Sequence, residues 1–445
     1  MIIGVLRRCL PATMLFMALL GPPAQAIEVQ RVVSPAGMEA WLFEDHTNPI
    51  VALRFAFRGG AALDPMGKEG LADLVSSLLD EGAGELDSQA FQRRLEDMAM
   101  TLRFDAGYDT FGGRLRTLSV NLDAAFDLLR LALTRPRFDD EPVARIRSQI
   151  LTMIRRNLED PDVIASRTLR RTLFPDHPYG RPVMGTEDSV KSIAAADLAR
   201  FVKDRLARDN LVIGVVGDIG ADQLAALLDK TFGELPGQAA PWQLPEVAPT
   251  ATGRTIVVRK SVPQSAILFA QAGIKRDDKD FYPAYVMNYI LGGGGFTSRL
   301  YNEVREKRGL AYSVYTTLSP MRSSAILQGG AGTANARVAE TLSVVRAEWR
   351  RLATDGVGKA ELADTKTYLT GSFPLRFSSS GRIAAILVAI QLDNLGIDFL
   401  ERRNGYVEAV TQEAVNRVAR RLLDAKGLTT VVVGQPEGVS SLRQP

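Results

Sequence analysis

The chain carries one order of secondary-structure signals twice, and that repetition limits its fold more than any other feature. In the first half the apolar run "NLVIGVVGDI" (210–219) follows a helical pattern at 194–206. In the second half "LTTVVVGQP" (428–436) follows a helical pattern that starts at Gln412. Each run is short, continuous and rich in β-branched residues, which suits a strand covered on both faces. The preceding segments also correspond. "EAWLFED" and "IVALRFAFRGG" precede helical patterns at 69–81 and 88–100, the strand pair "MTLRFDAGYDTFGGRLRTLSV", and helices at 122–134, 141–158 and 161–173. "RTIVVRK" and "SAILFAQAG" precede helical patterns at 279–291 and 297–307, the strands "LAYSVYTTLS" and "SSAILQGGAG", and helices at 337–352, 358–371 and 379–394. Early strands, then helices, then one returning strand predict a duplicated α+β unit rather than a regular βαβ series. The expected fold is therefore two similar domains, each a mostly antiparallel or mixed sheet packed with helices.

Between the halves lies "LPGQAAPWQLPEVAPTATG" (235–253), rich in Pro, Ala and Gly and without helical or strand period. It reads as an interdomain linker, which divides the chain into domains at 27–234 and 254–445. The N-terminal "MIIGVLRRCLPATMLFMALLGPPAQA" has Arg7 and Arg8, then an apolar run, then a small-residue site ending at Ala26. Residues 1–26 are expected to be a secretory signal peptide, which makes a periplasmic or secreted location the expectation and leaves no membrane attachment after cleavage. The single cysteine, Cys9, lies in that segment, so residues 27–445 contain no disulfide, no thiol nucleophile and no thiolate metal ligand.

The net charge of +3 over 445 residues is close to balance, which speaks against a nucleic-acid binder. The two histidines, His46 and His177, are too few for the usual catalytic zinc ligand set. His177, in "DHPYG", reads as a structural residue. No G-x-S-x-G elbow stands out for serine catalysis.

The densest local signal is "GGGGFTSRLYNEVREKRGLAYSVYT" (292–316). Its glycines allow a tight loop, Thr297 or Ser298 can cap the following helix, and Gly309 ends it. A helix-to-strand reversal there can bring Arg305 and Tyr312 onto one surface. From spacing alone, an arginine paired with Glu303 or Glu306 beside a half-buried tyrosine is the favoured reading. A phosphate-loop reading is weaker still, because "GGGGFTSR" lacks the lysine and spacing of a P-loop.

"SRLYNEVREKRGLAYSV" resembles the C-terminal-domain signature of the pitrilysin/insulinase family of zinc peptidases, nearest the branch that contains mitochondrial processing peptidase. "FRGGAALDPMGKEGLADL", "HPYGRPVMGTED" and "LVIGVVGDI" stand in the family's order, so the resemblance extends over essentially the whole chain after residue 26. It implies one half of a clamshell that closes on an extended or unfolded polypeptide. It also implies that Arg305 and Tyr312 bind substrate and stabilise charge developing on a carbonyl oxygen. The family's zinc motif, H-x-x-E-H, needs two histidines one helical turn apart and a glutamate as general base. Laid on "GLADLVSSLLDEG" (70–82), it places Asp73, Ser76 and Ser77 at those positions, and Met153 at the downstream ligand position. No metal is therefore expected in this chain. Zinc is expected in a homologous partner subunit, in a heterodimeric metallopeptidase to which this chain supplies Arg305 and Tyr312. On this reading the chain is active only with that zinc-bearing partner. The alternative is an inactive peptide-binding or structural subunit of a larger assembly.

Overall fold

A computed structural model describes residues 28–441. The predicted signal segment, 1–26, lies outside the described residues. The first sheet is built from β1 (Gln30–Val33), β2 (Glu39–Glu44), β3 (Ile50–Arg58), β4 (Thr101–Ala106), β5 (Thr110–Leu118) and β6 (Leu211–Gly217), in the order β1-β2-β6-β3-β5-β4. The second contains β7 (Thr255–Arg259), β8 (Gln264–Ala272), β9 (Ala311–Met321), β10 (Ser324–Ala334) and β11 (Thr429–Gly434), in the order β7-β11-β8-β10-β9. With β1 set aside, the two orders match strand for strand. In each sheet the returning strand lies parallel to the first strand of its unit, β6 on β2 and β11 on β7, while the remaining pairs are antiparallel. The duplicated signals thus correspond to two copies of one mixed sheet.

Each sheet buries one face under helices from its own half. In the first, Leu53, Phe55 and Ile213 share a core with Leu74, Phe126 and Phe232. In the second, Phe269 and Val432 share a core with Trp349 and Val415. The opposite faces are covered by exchange. Helix Pro161–Leu173, from the first half, lays Ala165, Leu169 and Leu173 on Ala270, Ile326 and Val431 of the second sheet. Helix Ser380–Leu392, from the second half, lays Ile383, Ala384 and Leu387 on Trp41 and Val216 of the first. Gly214 on β6 permits that close approach, since a Cβ there would stand 2.7 Å from the Ala384 carbonyl oxygen. Arg58 then donates to the carbonyls of Gln391 and Leu392, each at 2.7 Å, closing the C-terminus of the exchanged helix.

The 235–253 segment forms neither helix nor strand. It is tied down by His177 Nε2 donating to the Pro245 carbonyl at 3.1 Å, by the Val247 amide on Ser323 at 2.9 Å, and by the Thr250 amide on Leu173 at 2.8 Å. Burial lowers the His177 pKa, which keeps the ring neutral. His177 is therefore a packing residue, in keeping with its structural reading.

Two expected helices differ. The helix expected at 69–81 ends at Ser76, and turns carry the chain onward to Gly82. Both serine hydroxyls bond back to the Asp73 carbonyl, Ser76 at 2.8 Å and Ser77 at 3.1 Å, a local competition that weakens helix propagation. The helix expected at 297–307 is instead a 3-10 turn, Gly295–Thr297, followed by a π-helical turn, Tyr301–Glu306.

Candidate functional site

The reversal that positions Arg305 is local. Ser298 is buried, donates to the Gly295 carbonyl and accepts the Tyr301 amide, capping the next turn. The π-helical turn closes with the Gly309 amide on Arg305 (2.8 Å) and the Leu310 amide on Val304 (2.9 Å). Gly309 has φ +57°, a left-handed conformation that glycine adopts without steric cost, and the chain then enters β9.

The result brings Arg305 and Tyr312 together. The Arg305 guanidinium carbon lies 4.3 Å from the Tyr312 ring centroid and 5.0 Å from that of Tyr301, and Nη1 donates to the Tyr312 carbonyl at 2.9 Å. A guanidinium held between two rings has its plane fixed. Phe296 extends the stack edge-on to Tyr301 at 4.9 Å. Tyr301 is buried, whereas Tyr312 is 81% and Phe296 76% exposed, so the outer rings and the phenol are open to a ligand.

The alternative pairing of Arg305 with Glu303 does not occur. Glu303 is buried and engages Lys307 and Arg308, each at 2.6 Å, with Arg351 at 3.7 Å. Those contacts, Lys307 first, hold its carboxyl below the usual range. Among the carboxylates of the described residues, Glu306 approaches Arg305, at 3.8 Å. Tyr301 and Phe296 were not singled out in the sequence. The available signal was the Tyr-x-x-x-Arg spacing, which puts ring and guanidinium on one side of a helical turn.

The first-half helix is built differently. The buried Asp64 carboxylate accepts the amides of Gly70 (3.0 Å) and Ala72 (3.2 Å), capping Leu71–Ser76. Burial pushes the Asp64 carboxyl up to about 7, against the pull of those amides. Gly70 has φ +95°, and a Cβ there would meet the Met184 carbonyl oxygen at 2.6 Å, so only glycine fits. Asp73 is half-buried, and burial alone raises its carboxyl to about 6. Asp80 is also raised to about 6 by burial, opposed by Arg103, whose Nη1 donates to it at 2.9 Å. Asp73 and Asp80 do not share a helix face as a continuous helix would require, because the helix ends between them.

These residues do not fit zinc. Both serine hydroxyls are spent on the Asp73 carbonyl, and Met153 offers a half-exposed thioether on helix Asp140–Asn157. Among the described residues, no group of three or more His, Cys, Asp or Glu side chains is placed to hold a metal ion. His46 is exposed and bonded to Asp218 at 2.7 Å.

Two paired α+β units with a helix in the zinc-motif position define a peptidase-like scaffold, and sequence comparison agrees. Residues 41–187 match the insulinase (peptidase family M16) domain, and residues 192–369 match the domain described as peptidase M16 inactive domain. The chain belongs to the M16 peptidase family. A Helicobacter pylori protein named a non-peptidase homolog is 27% identical over 95% of this chain and 97% of its own length. An uncharacterised zinc protease of Streptomyces coelicolor is 29% identical over 71% of this chain and 70% of its own. Among solved structures, a peptidase M16 inactive domain from Pseudomonas fluorescens superimposes with a TM-score of 0.86 at 29% identity, covering 94% of this chain and all of that one. A Helicobacter pylori protease superimposes at 0.83 with 19% identity, covering 91% of this chain and 99% of that one, which speaks to fold alone.

Proposed function

We propose that this chain is the zinc-free subunit of an exported, heterodimeric M16 peptidase. It forms half of a peptide-binding chamber and presents Arg305 and Tyr312 to a substrate whose scissile bond lies at zinc held by a homologous partner. The observation that carries this reading is an asymmetry. The second half keeps a preorganised, solvent-open Arg305–Tyr312 pair, while the first half has Asp73, Ser76, Ser77 and Met153 where the family motif would hold its ligands and base. A fixed guanidinium and an exposed phenol are donors suited to a carbonyl oxygen that gains negative charge.

The test is reconstitution. Cleavage of an unstructured polypeptide is measured with this chain alone, with a zinc-bearing relative from the same organism alone, and with the mixture. Activity confined to the mixture, and lost with Arg305→Ala, supports the reading. Equal activity with and without this chain overturns it.

The Helicobacter pylori relative named a non-peptidase homolog spans nearly the same length and favours a second reading, in which this chain binds polypeptide without cleavage. Peptide binding that needs Arg305, with no gain in cleavage on mixing, would select it.

A further inference from the structure

Helix Phe399–Glu408 forms one wall of an open pocket of about 260 Å³, with helix Phe281–Asn288 and the end of the exchanged helix Ser380–Leu392 as the others. Its walls are aromatic, chiefly Phe281, Tyr282, Phe373 and Phe399. Into this apolar space the fold brings three guanidiniums, Arg276, Arg376 and Arg403, and one carboxylate, Asp393.

Arg403 is 5% exposed, and every acceptor it meets is neutral. Nη1 donates to the Leu369 carbonyl at 2.6 Å and to Asn404 Oδ1 at 2.9 Å, and Nη2 to the Tyr285 hydroxyl at 3.3 Å. Its guanidinium carbon lies 4.4 Å from the Phe373 ring. Arg276 lies over Phe281 at 4.1 Å and approaches Asp393 only at 3.7 Å. Arg376 stands exposed at the edge. One carboxylate thus faces three cations.

A buried cation without a counter-ion is costly, and carbonyl acceptors and ring faces offset only part of the cost. An anion entering the pocket meets unmatched positive charge beside apolar walls, where its attraction is screened less than in bulk water. The aromatic walls favour an apolar body over a fully hydrated ion. The volume lies below the roughly 300–1,000 Å³ of pockets for drug-sized ligands, so that body is a few carbons. We propose that this cavity binds the carboxylate of a small apolar acid, either a free acid or the C-terminal residue of a peptide.

Calorimetric titration of the full chain tests this, with N-acetyl-leucine, its uncharged analogue N-acetyl-leucinamide, 4-methylpentanoate and inorganic phosphate as probes. The expected result is saturable binding of the two carboxylates, with the amide at least about tenfold weaker, and phosphate no tighter than the amide. Arg376→Ala, an exposed change that leaves the core intact, is expected to weaken carboxylate binding about tenfold, the scale of one charge-assisted contact. Tighter binding of 4-methylpentanoate supports a free acid as the natural ligand, and tighter binding of N-acetyl-leucine supports a peptide end. Acid and amide binding alike, no carboxylate binding, or carboxylate affinity unchanged in Arg376→Ala would overturn the proposal.

Discussion

The Tyr179 hydroxyl donates to Asp109 Oδ1 at 2.6 Å and accepts the Ser323 backbone amide at 3.1 Å, so one buried phenol joins the β4–β5 turn to the β9–β10 turn of the other half. The Asp109 carboxylate completes the bridge by accepting the Arg322 amide at 3.0 Å. Tyr179→Phe keeps the ring but leaves the buried Ser323 amide and one carboxylate oxygen without this partner. The expected cost is about 1–3 kcal/mol, read as a lower urea midpoint with the slope unchanged. A midpoint equal to wild type would show that the bridge contributes nothing.

The helix exchange makes a second prediction. Gly214→Ala drives a methyl group against the Ala384 backbone and is expected to cost about 1–3 kcal/mol, with faster proteolytic cutting beside helix Ser380–Leu392. Gly381→Ala, in the exchanged helix itself, meets nothing within 4 Å and should be neutral or slightly stabilising. Equal proteolysis of the two variants would count against the close approach at Gly214.

The carboxyl of Asp73 sets a pH dependence. Its folded pKa is about 6, while the unfolded value is about 3.9. Below about pH 4 it is protonated in both states, and the folded form carries no penalty. As the pH rises through that window the unfolded chain loses the proton first, so stability falls until about pH 6 and then levels. Asp73→Asn removes this contribution. Relative to wild type the variant should gain stability between about pH 4 and 6 and hold that gain above, as measured by urea midpoints across the range. A difference that does not change with pH would refute it.

Arg305→Lys and Tyr312→Phe separate position from charge. Lysine keeps the charge but loses the planar stack, and phenylalanine keeps the stack but loses the hydroxyl. Each should reduce cleavage in the two-chain assay by about 10²-fold, the scale of one lost donor to a developing oxyanion. Thermal stability should be nearly unchanged for Tyr312→Phe, because that ring is exposed. Retention of full activity by both variants would remove the pair from the chemistry.

Much of this fold was readable from residues. The runs "IVALRFAFR" and "TTVVVG" were strands by pattern and lie in β3 and β11. Repetition of the whole order predicted two units, which the matching sheet orders bear out. Periodicity could not indicate which sheet a helix would cover. Leu169 and Leu387 make ordinary apolar stripes, and only the tertiary structure assigns each to the other half. The shortened Leu71–Ser76 helix was missed because apolar spacing continues through Leu78 and Leu79 while the serine hydroxyls bond back to the chain. At the candidate site, Arg305 and Tyr312 were singled out from the motif, and the structure brings them into contact. Tyr301 was missed because a residue buried beneath a guanidinium reads as core.

The reciprocal exchange of helices has a consequence for synthesis. Strand β6 ends at Gly217, yet the helix that covers its outer face ends at Leu392. At roughly 5–20 residues per second, a ribosome needs about 10–35 s to make the intervening chain. Throughout that interval Trp41 and Val216 have no native cover. A product truncated before residue 380 would carry that apolar face uncovered permanently.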